Sequence, residues 1–169
     1  MRRLWLLRHA KSSWDEPHLP DRLRPLAPRG VRAVGAVARH LRAAAVAPDL
    51  VLCSPARRAV QTWEGVAPGV PPDTAVEVDE AIYHADADEL FARLRAVPSE
   101  IGSVLLVGHN PGLQDLAIDL VGSGDAGLRE RLFTKFPTGA IATLGVPGDW
   151  HDLTWGATSL LGFVVPREL

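Results

Sequence analysis

The sequence predicts an α/β fold, a three-layer sandwich with a mostly parallel central sheet and helices on both faces. Short apolar runs recur at Leu4-Trp5-Leu6-Leu7, Leu50-Val51-Leu52-Cys53 and Val104-Leu105-Leu106-Val107, and runs of this length without polar alternation read as strands buried on both faces. Each is followed by a polar turn and then by apolar residues at helical spacing, the βα repeat from which parallel sheets are built. The 169 residues are enough to bury a core without disulfide or metal staples, and one catalytic domain is expected over 1–169.

The elements follow in order. After the first strand, Lys11 to Ala27 is polar and contains prolines; it is long for a structureless connection and is expected to form an active-site loop. Pro28 opens a helix whose apolar face is Val31, Val34, Val37, Ala38, Leu41 and Ala45, closed before Pro48. The strand Asp49 to Cys53 leads to Ser54 as a helix cap and Pro55 as a first helical residue. Gly65, Pro68, Gly69, Pro71 and Pro72 mark a loop before a short strand, Thr74 to Val78, that runs toward Glu80. Asp86 to Val97 fits a helix with Leu90, Phe91 and Leu94 inward. The strand Ser103 to Gly108 ends in His109-Asn110-Pro111-Gly112, where Asn110 is a good cap and Pro111 a good first residue for a helix carrying Leu113, Leu116, Ala117, Leu120 and Val121. Gly122 to Gly127 reads as a helix-to-helix loop. Ala140 to Val146 and Ala157 to Val165 read as an antiparallel pair, their connection opened by Pro147-Gly148-Asp149.

Ligands in open α/β sheets gather at the carboxyl ends of the strands. Arg8-His9 stands at the end of the first strand and His109 at the end of another, which puts two histidines on one sheet edge. A neutral imidazole is a competent nucleophile near pH 7, and an adjacent guanidinium grips a phosphoryl group in bidentate fashion. A lone histidine at a strand end more often just bonds a backbone carbonyl; the recurrence at His109 is what points to chemistry. Arg58, one turn into the helix after Cys53, lies near that helix's positive end and can reach the same crevice.

These residues fall into motifs that resemble the histidine phosphatase superfamily, in its small SixA-like branch. The likeness rests on Leu7-Arg8-His9-Ala10-Lys11-Ser12, Arg24-Pro25-Leu26 with Arg29-Gly30, Ser54-Pro55 with Arg58-Ala59 and Gln61-Thr62, Glu80 before Ile82-Tyr83, and Val107-Gly108-His109-Asn110-Pro111. Ala10 departs from the Gly that much of the superfamily carries there. The chemistry expected is two-step phosphoryl transfer through a covalent phosphohistidine on His9, with the charge held by Arg8, Arg58 and His109 and with Ser12 as a further hydroxyl donor. The arginines supply the positive charge, so neither a metal nor another cofactor is expected. The resemblance makes Glu80 the candidate general acid and base, although a loop carboxylate is by default only a solvated charge. It also implies a phosphorylated protein as substrate, since the chain has no room for a large inserted cap; small phosphomonoesters remain the alternative. A phosphate-sensing or protein-binding module without turnover is the rival from another class, and the intact His9, Arg8, Arg58 and His109 count against it.

Composition excludes several partners. Lys plus Arg number 18 against 20 Asp plus Glu, a formal charge of −2 with no long basic run, so nucleic acid is not expected. The apolar stretch behind Met1-Arg2-Arg3 is too short for a signal segment and no run approaches a membrane span, which makes the cytoplasm the expected location. The single cysteine, Cys53, forbids an internal disulfide and reads as a small buried residue. Gly122 to Gly127 matches a dinucleotide fingerprint in letters only, because it follows a helical segment and no acidic residue occurs between Glu130 and Asp149 to hold a ribose. Four residues separate Cys53 from Arg58, one fewer than a cysteine-phosphatase loop contains. His9, His84 and His109 with Asp86 or Asp88 show no local metal-ligand spacing.

Overall fold

The computed structural model describes residues 1–169 and contains one seven-stranded sheet. Its central strand is β1 (Arg2–Arg8), which buries Leu4 and Leu6 in one core and Trp5 and Leu7 in another on the opposite face. That double burial is why the run is apolar at every position from Leu4 to Leu7. β1 pairs in parallel with β4 (Ser103–Gly108) in the register Leu6 to Leu106 and Arg8 to Gly108. Beyond β4 lie β2 (Leu50–Cys53) and then β3 (Ala75–Val78), both parallel to it. On the other side β6 (Ile141–Val146) is antiparallel to β1, β7 (Thr158–Val164) is antiparallel to β6, and β5 (Val121–Gly124) pairs in parallel with β7. The order is β3-β2-β4-β1-β6-β7-β5, and β6 alone runs against the rest.

Helices cover both faces. α1 (Pro28–Ala43) and α2 (Arg57–Val66) close the core that holds Trp5 and Leu7. α3 (Ala87–Arg95), α4 (Gly112–Leu120) and α5 (Ala126–Thr134) close the larger core on the other face, around Leu4 and Leu6. The α3 start is written locally: the Asp86 side chain accepts from the Glu89 N–H at 2.8 Å and Glu89 reaches back, a complete capping box. No helix is long and apolar enough to cross a membrane.

Five sequence expectations are corrected. Val121–Gly124 is an edge strand, so Val121 leaves the helix expected to carry it and Gly122 to Gly124 leave the expected loop; with two glycines the strand shows no alternation to betray it, and a Cβ on Gly122 would run into the Gly156 carbonyl oxygen. α2 begins at Arg57, with Ala56 and not Ser54 at the cap, and α4 begins at Gly112, with Pro111 and not Asn110 at the cap. In both cases the polar side chain is committed elsewhere, Ser54 to His109 and Asn110 to the Phe136 carbonyl. Val31 stays 58% exposed, because Gly30 is the inward residue of the first turn, seated against the Lys11 backbone. Ala45 lies beyond the end of α1, in left-handed backbone at φ 53°.

The Lys11 to Ala27 stretch is an ordered strap. Ser12 bridges Leu26, the Ala27 N–H donates to the Lys11 carbonyl at 2.8 Å, and Asp21–Leu23 forms a single tight turn. α1 leaves β1 toward one face of the sheet while α4 leaves β4 toward the other. The adjacent carboxyl ends of β1 and β4 therefore open a crevice between diverging helices.

Candidate active site

His9 and His109 close that crevice from below, with ring centroids 5.2 Å apart. His9 is 7% exposed, and its Nδ1–H donates to the Ala10 carbonyl at 2.7 Å. A carbonyl can only accept, so the proton sits on Nδ1 and the lone pair on Nε2. Burial, with the nearby charges of Arg58, Arg8 and Arg24, outweighs that hydrogen bond and lowers the His9 pKa to about 4. Burial, then His9 and Arg58, push His109 down to about 3. Both rings are neutral at pH 7.

His109 is oriented by Ser54. The Ser54 hydroxyl oxygen accepts from the Ala56 N–H at 3.3 Å and lies 2.7 Å from His109 Nε2. In the tautomer where Ser54 donates to Nε2, the imidazole proton is on Nδ1, the nitrogen with no partner within the protein.

Three guanidinium groups surround His9. Arg58, 6% exposed and in the first turn of α2, donates to the Asp21 carbonyl at 2.9 Å and to the Asp21 carboxylate at 3.0 Å. Arg24, also 6% exposed, donates to the Ser12 hydroxyl at 2.6 Å and stacks on Trp14 with its carbon 3.4 Å from the ring centre; its Nε and Nη1 have no hydrogen-bond partner. Arg8 donates to the Phe136 carbonyl at 3.0 Å, the same oxygen that takes the Asn110 amide. Burial lowers the pKa of both Arg8 and Arg24. Asp21 is the one carboxylate engaged by this cluster. Burial tends to raise it, but the Tyr83 hydroxyl donating at 2.8 Å, with Arg58 and Arg24, holds it below the usual range. Three cations against one anion leave two positive charges unbalanced.

The structure thus brings together Arg8, His9, Arg58 and His109 and joins Ser12 to them through Arg24. Glu80 is set apart. It sits on the rim, its side chain 70% exposed, bound by both ends of the Arg22 guanidinium, and the Arg22 bond holds it below the usual carboxylate range. Arg24, Tyr83 and Ser54 are the site's unforeseen members. Arg24 and Ser54 belong to recognisable motifs, yet nothing local announces their partners.

A further link runs beneath the crevice. The Ala10 N–H donates to the Thr62 hydroxyl oxygen at 2.9 Å, and that hydroxyl donates to the Arg58 carbonyl at 2.7 Å, with Thr62 fully buried. Cys53 lies close by in sequence but is fully buried, and burial pushes its thiol up to about 12, which disqualifies it as a nucleophile. No three His, Cys, Asp or Glu side chains converge as a metal-ligand set.

A neutral imidazole with surplus guanidinium charge, at the carboxyl edge of a parallel sheet, defines an α/β protein built to handle an anionic group. Comparison with known proteins sharpens the class. Residues 4–110 match the family model of the histidine phosphatase superfamily, branch 1, and the chain belongs to that superfamily and is a phosphatase. An uncharacterized protein of Mycobacterium tuberculosis is 40% identical over 163 residues, covering 95% of this chain and all of its own. The structure of a protein provisionally assigned as the phosphohistidine phosphatase SixA from Nakamurella multipartitia superposes with a TM-score of 0.85 at 32% identity, over 98% of this chain and 96% of that one. The protein histidine phosphatase SixA complexed with tungstate superposes at 0.78 with 26% identity, over 98% of both chains. The protein is a SixA-like member of its superfamily.

Proposed function

We propose that this phosphatase hydrolyses phosphohistidine on a protein substrate through a covalent intermediate on His9. The observation that carries the proposal is the pair of unbalanced positive charges around a neutral His9 whose Nδ1 is already occupied by the Ala10 carbonyl. A phosphoryl dianion supplies the missing charge, and the relative that holds tungstate, another tetrahedral oxyanion, supports the same choice.

In the first step His9 Nε2 attacks phosphorus, and the phosphorus–nitrogen bond to the substrate imidazole breaks, its electron pair going to that imidazole. Arg8, Arg58 and Arg24 hold the equatorial oxygens, with His109 Nδ1–H and the Ser12 hydroxyl as further donors. In the second step water attacks phosphorus and Nε2 recovers its electron pair. The loose transition state asks little of a base. The charge comes from guanidinium groups, so the reaction is proposed to run without a divalent cation.

The carboxylates favour this substrate class over alkyl phosphates. An alkoxide needs a proton as it leaves, whereas a histidine imidazole protonated on its far nitrogen leaves as a neutral base. Glu80, assigned to protonating alkoxides, and Asp21 are both held ionised by arginine and are weak acids for that task. A cytoplasmic location and a single catalytic domain over 1–169 belong to the same proposal.

The test is a rapid alkaline quench with labelled phosphohistidine protein. An acid-labile, base-stable adduct is expected on the wild type and absent in His9→Ala. Equal adduct yield in the two would overturn the assignment.

A further inference from the structure

A cavity of about 910 Å³ opens beside the catalytic crevice, on the β7 side of the same sheet edge. β7 runs parallel to β1, so the segment after β7 emerges where His9 does. Lys11 lines the cavity and stands two residues past His9, within about 7 Å of it along the backbone. Pro137 and Thr138 also line it, between Phe136, whose carbonyl takes Arg8, and Gly139, whose N–H donates to the Arg8 and His9 carbonyls at 3.0 Å.

The charge of its walls is one-sided. α1 contributes Arg29 and Arg32, the end of α5 contributes Arg131 and Lys135, and the tail contributes Arg167. With Lys11 these are six of the chain's 18 basic residues, and only Arg131 is ion-paired, to Glu168. Glu130 is the single acidic residue in the lining. A chain with a formal charge of −2 has ample carboxylates to intersperse here, yet five cations face one another without a counter-ion. Beneath them the floor is apolar, with Phe163 and Val165 almost fully buried and Pro166 beside them.

We propose that this groove docks an acidic polypeptide segment carrying an apolar anchor, the region of the substrate protein that flanks its phosphorylated histidine. The cations meet the carboxylates and the anchor covers the half-buried Ala33, Ala36, Pro137 and Pro166. The groove shares Lys11 and the Pro137-Thr138 loop with the site, so a docked segment holds its phosphoryl group over the crevice. The substrate assignment rests on the proposed phosphohistidine activity; the docking chemistry does not.

The probe is a fluorescein-labelled ten-residue peptide of glutamates around a central phenylalanine, titrated against the intact chain by anisotropy. Binding is expected to weaken with salt and to fall about ten-fold or more in the Arg32→Glu, Lys135→Glu double variant, both changes being at exposed positions outside the catalytic crevice. The same variant should turn over a chromogenic phosphomonoester at the wild-type rate while KM for an acidic phosphohistidine protein rises, which separates docking from misfolding. Equal peptide affinity in wild type and double variant overturns the docking surface, as does tighter binding of a single-stranded oligonucleotide of equal charge. If peptide binding depends on the two cations but no phosphohistidine protein is dephosphorylated, the docking surface stands and the proposed activity fails.

Discussion

The floor and the rim of the crevice carry the same kinds of charged group in opposite states. On the rim, Arg22 and Glu80 face solvent, with side chains 41% and 70% exposed, and neutralise one another. On the floor, Arg58 and Arg24 are buried, share Asp21 and leave charge over; the two imidazoles beside them are driven neutral. A solvated ion pair contributes little and asks for nothing. Buried cations with too few anions carry a standing desolvation cost that an incoming dianion relieves, so catalytic leverage is expected from the floor and only modest help from the rim.

The largest break in that contrast is Arg58→Ala, which should slow phosphohistidine and alkyl phosphate hydrolysis alike by about 10²–10³-fold in kcat/KM, since it removes charge stabilisation common to both. A loss confined to one substrate would place Arg58 in recognition of the leaving group.

Next comes pH. The proposed attack needs an unprotonated His9, so kcat/KM should hold down to about pH 5 and fall through the His9 pKa near 4. Stability should follow the same direction. Both histidines have folded pKa values below the unfolded 6.5, so the unfolded chain binds more protons as pH drops from about 6.5 through about 4 and about 3, and stability present above that window is lost within it. Urea melts of wild type and His109→Gln between pH 7 and 4 check this, the variant showing the shallower decline.

The rim is probed by Glu80→Gln. Ionised as it is, Glu80 should deliver less than the roughly 10²–10⁴-fold of a well-poised acid, so a loss of about ten-fold on alkyl phosphates and less than about two-fold on phosphohistidine is expected. No change on either substrate would make Glu80 a solvated charge and turn attention to Asp21. Smallest of all is the effect of chelation: exhaustive EDTA should leave both rates within error. Complete loss restored by one divalent ion would favour metal-assisted chemistry.

Local chemistry made much of this molecule legible. The apolar runs of β1, β2 and β4 are continuous because those strands are covered on both faces, and Asp86 with Glu89 declares the start of α3 within four residues. The errors fall where a side chain answers a distant partner. Ser54 and Asn110 have the chemistry of caps but spend it on His109 and Phe136. Asp21 meets Tyr83 across 62 residues and Arg58 across 37, distances over which no spacing rule operates. Arg24 stands in a legible motif, but its place in the site is hidden for the same reason: its burial depends on Trp14 and Ser12 folding over it within a strap whose closure is tertiary.

Thr62 turns two catalytic parts into one mechanical body. Through its hydroxyl the loop after His9 and the first turn of α2 are fastened at successive bonds of 2.9 and 2.7 Å, with no solvent exposure at the joint. The lever that carries Arg58 is therefore also the lever that carries His9. A shift of α2 would be expected to carry His9 and Arg58 together rather than to part them.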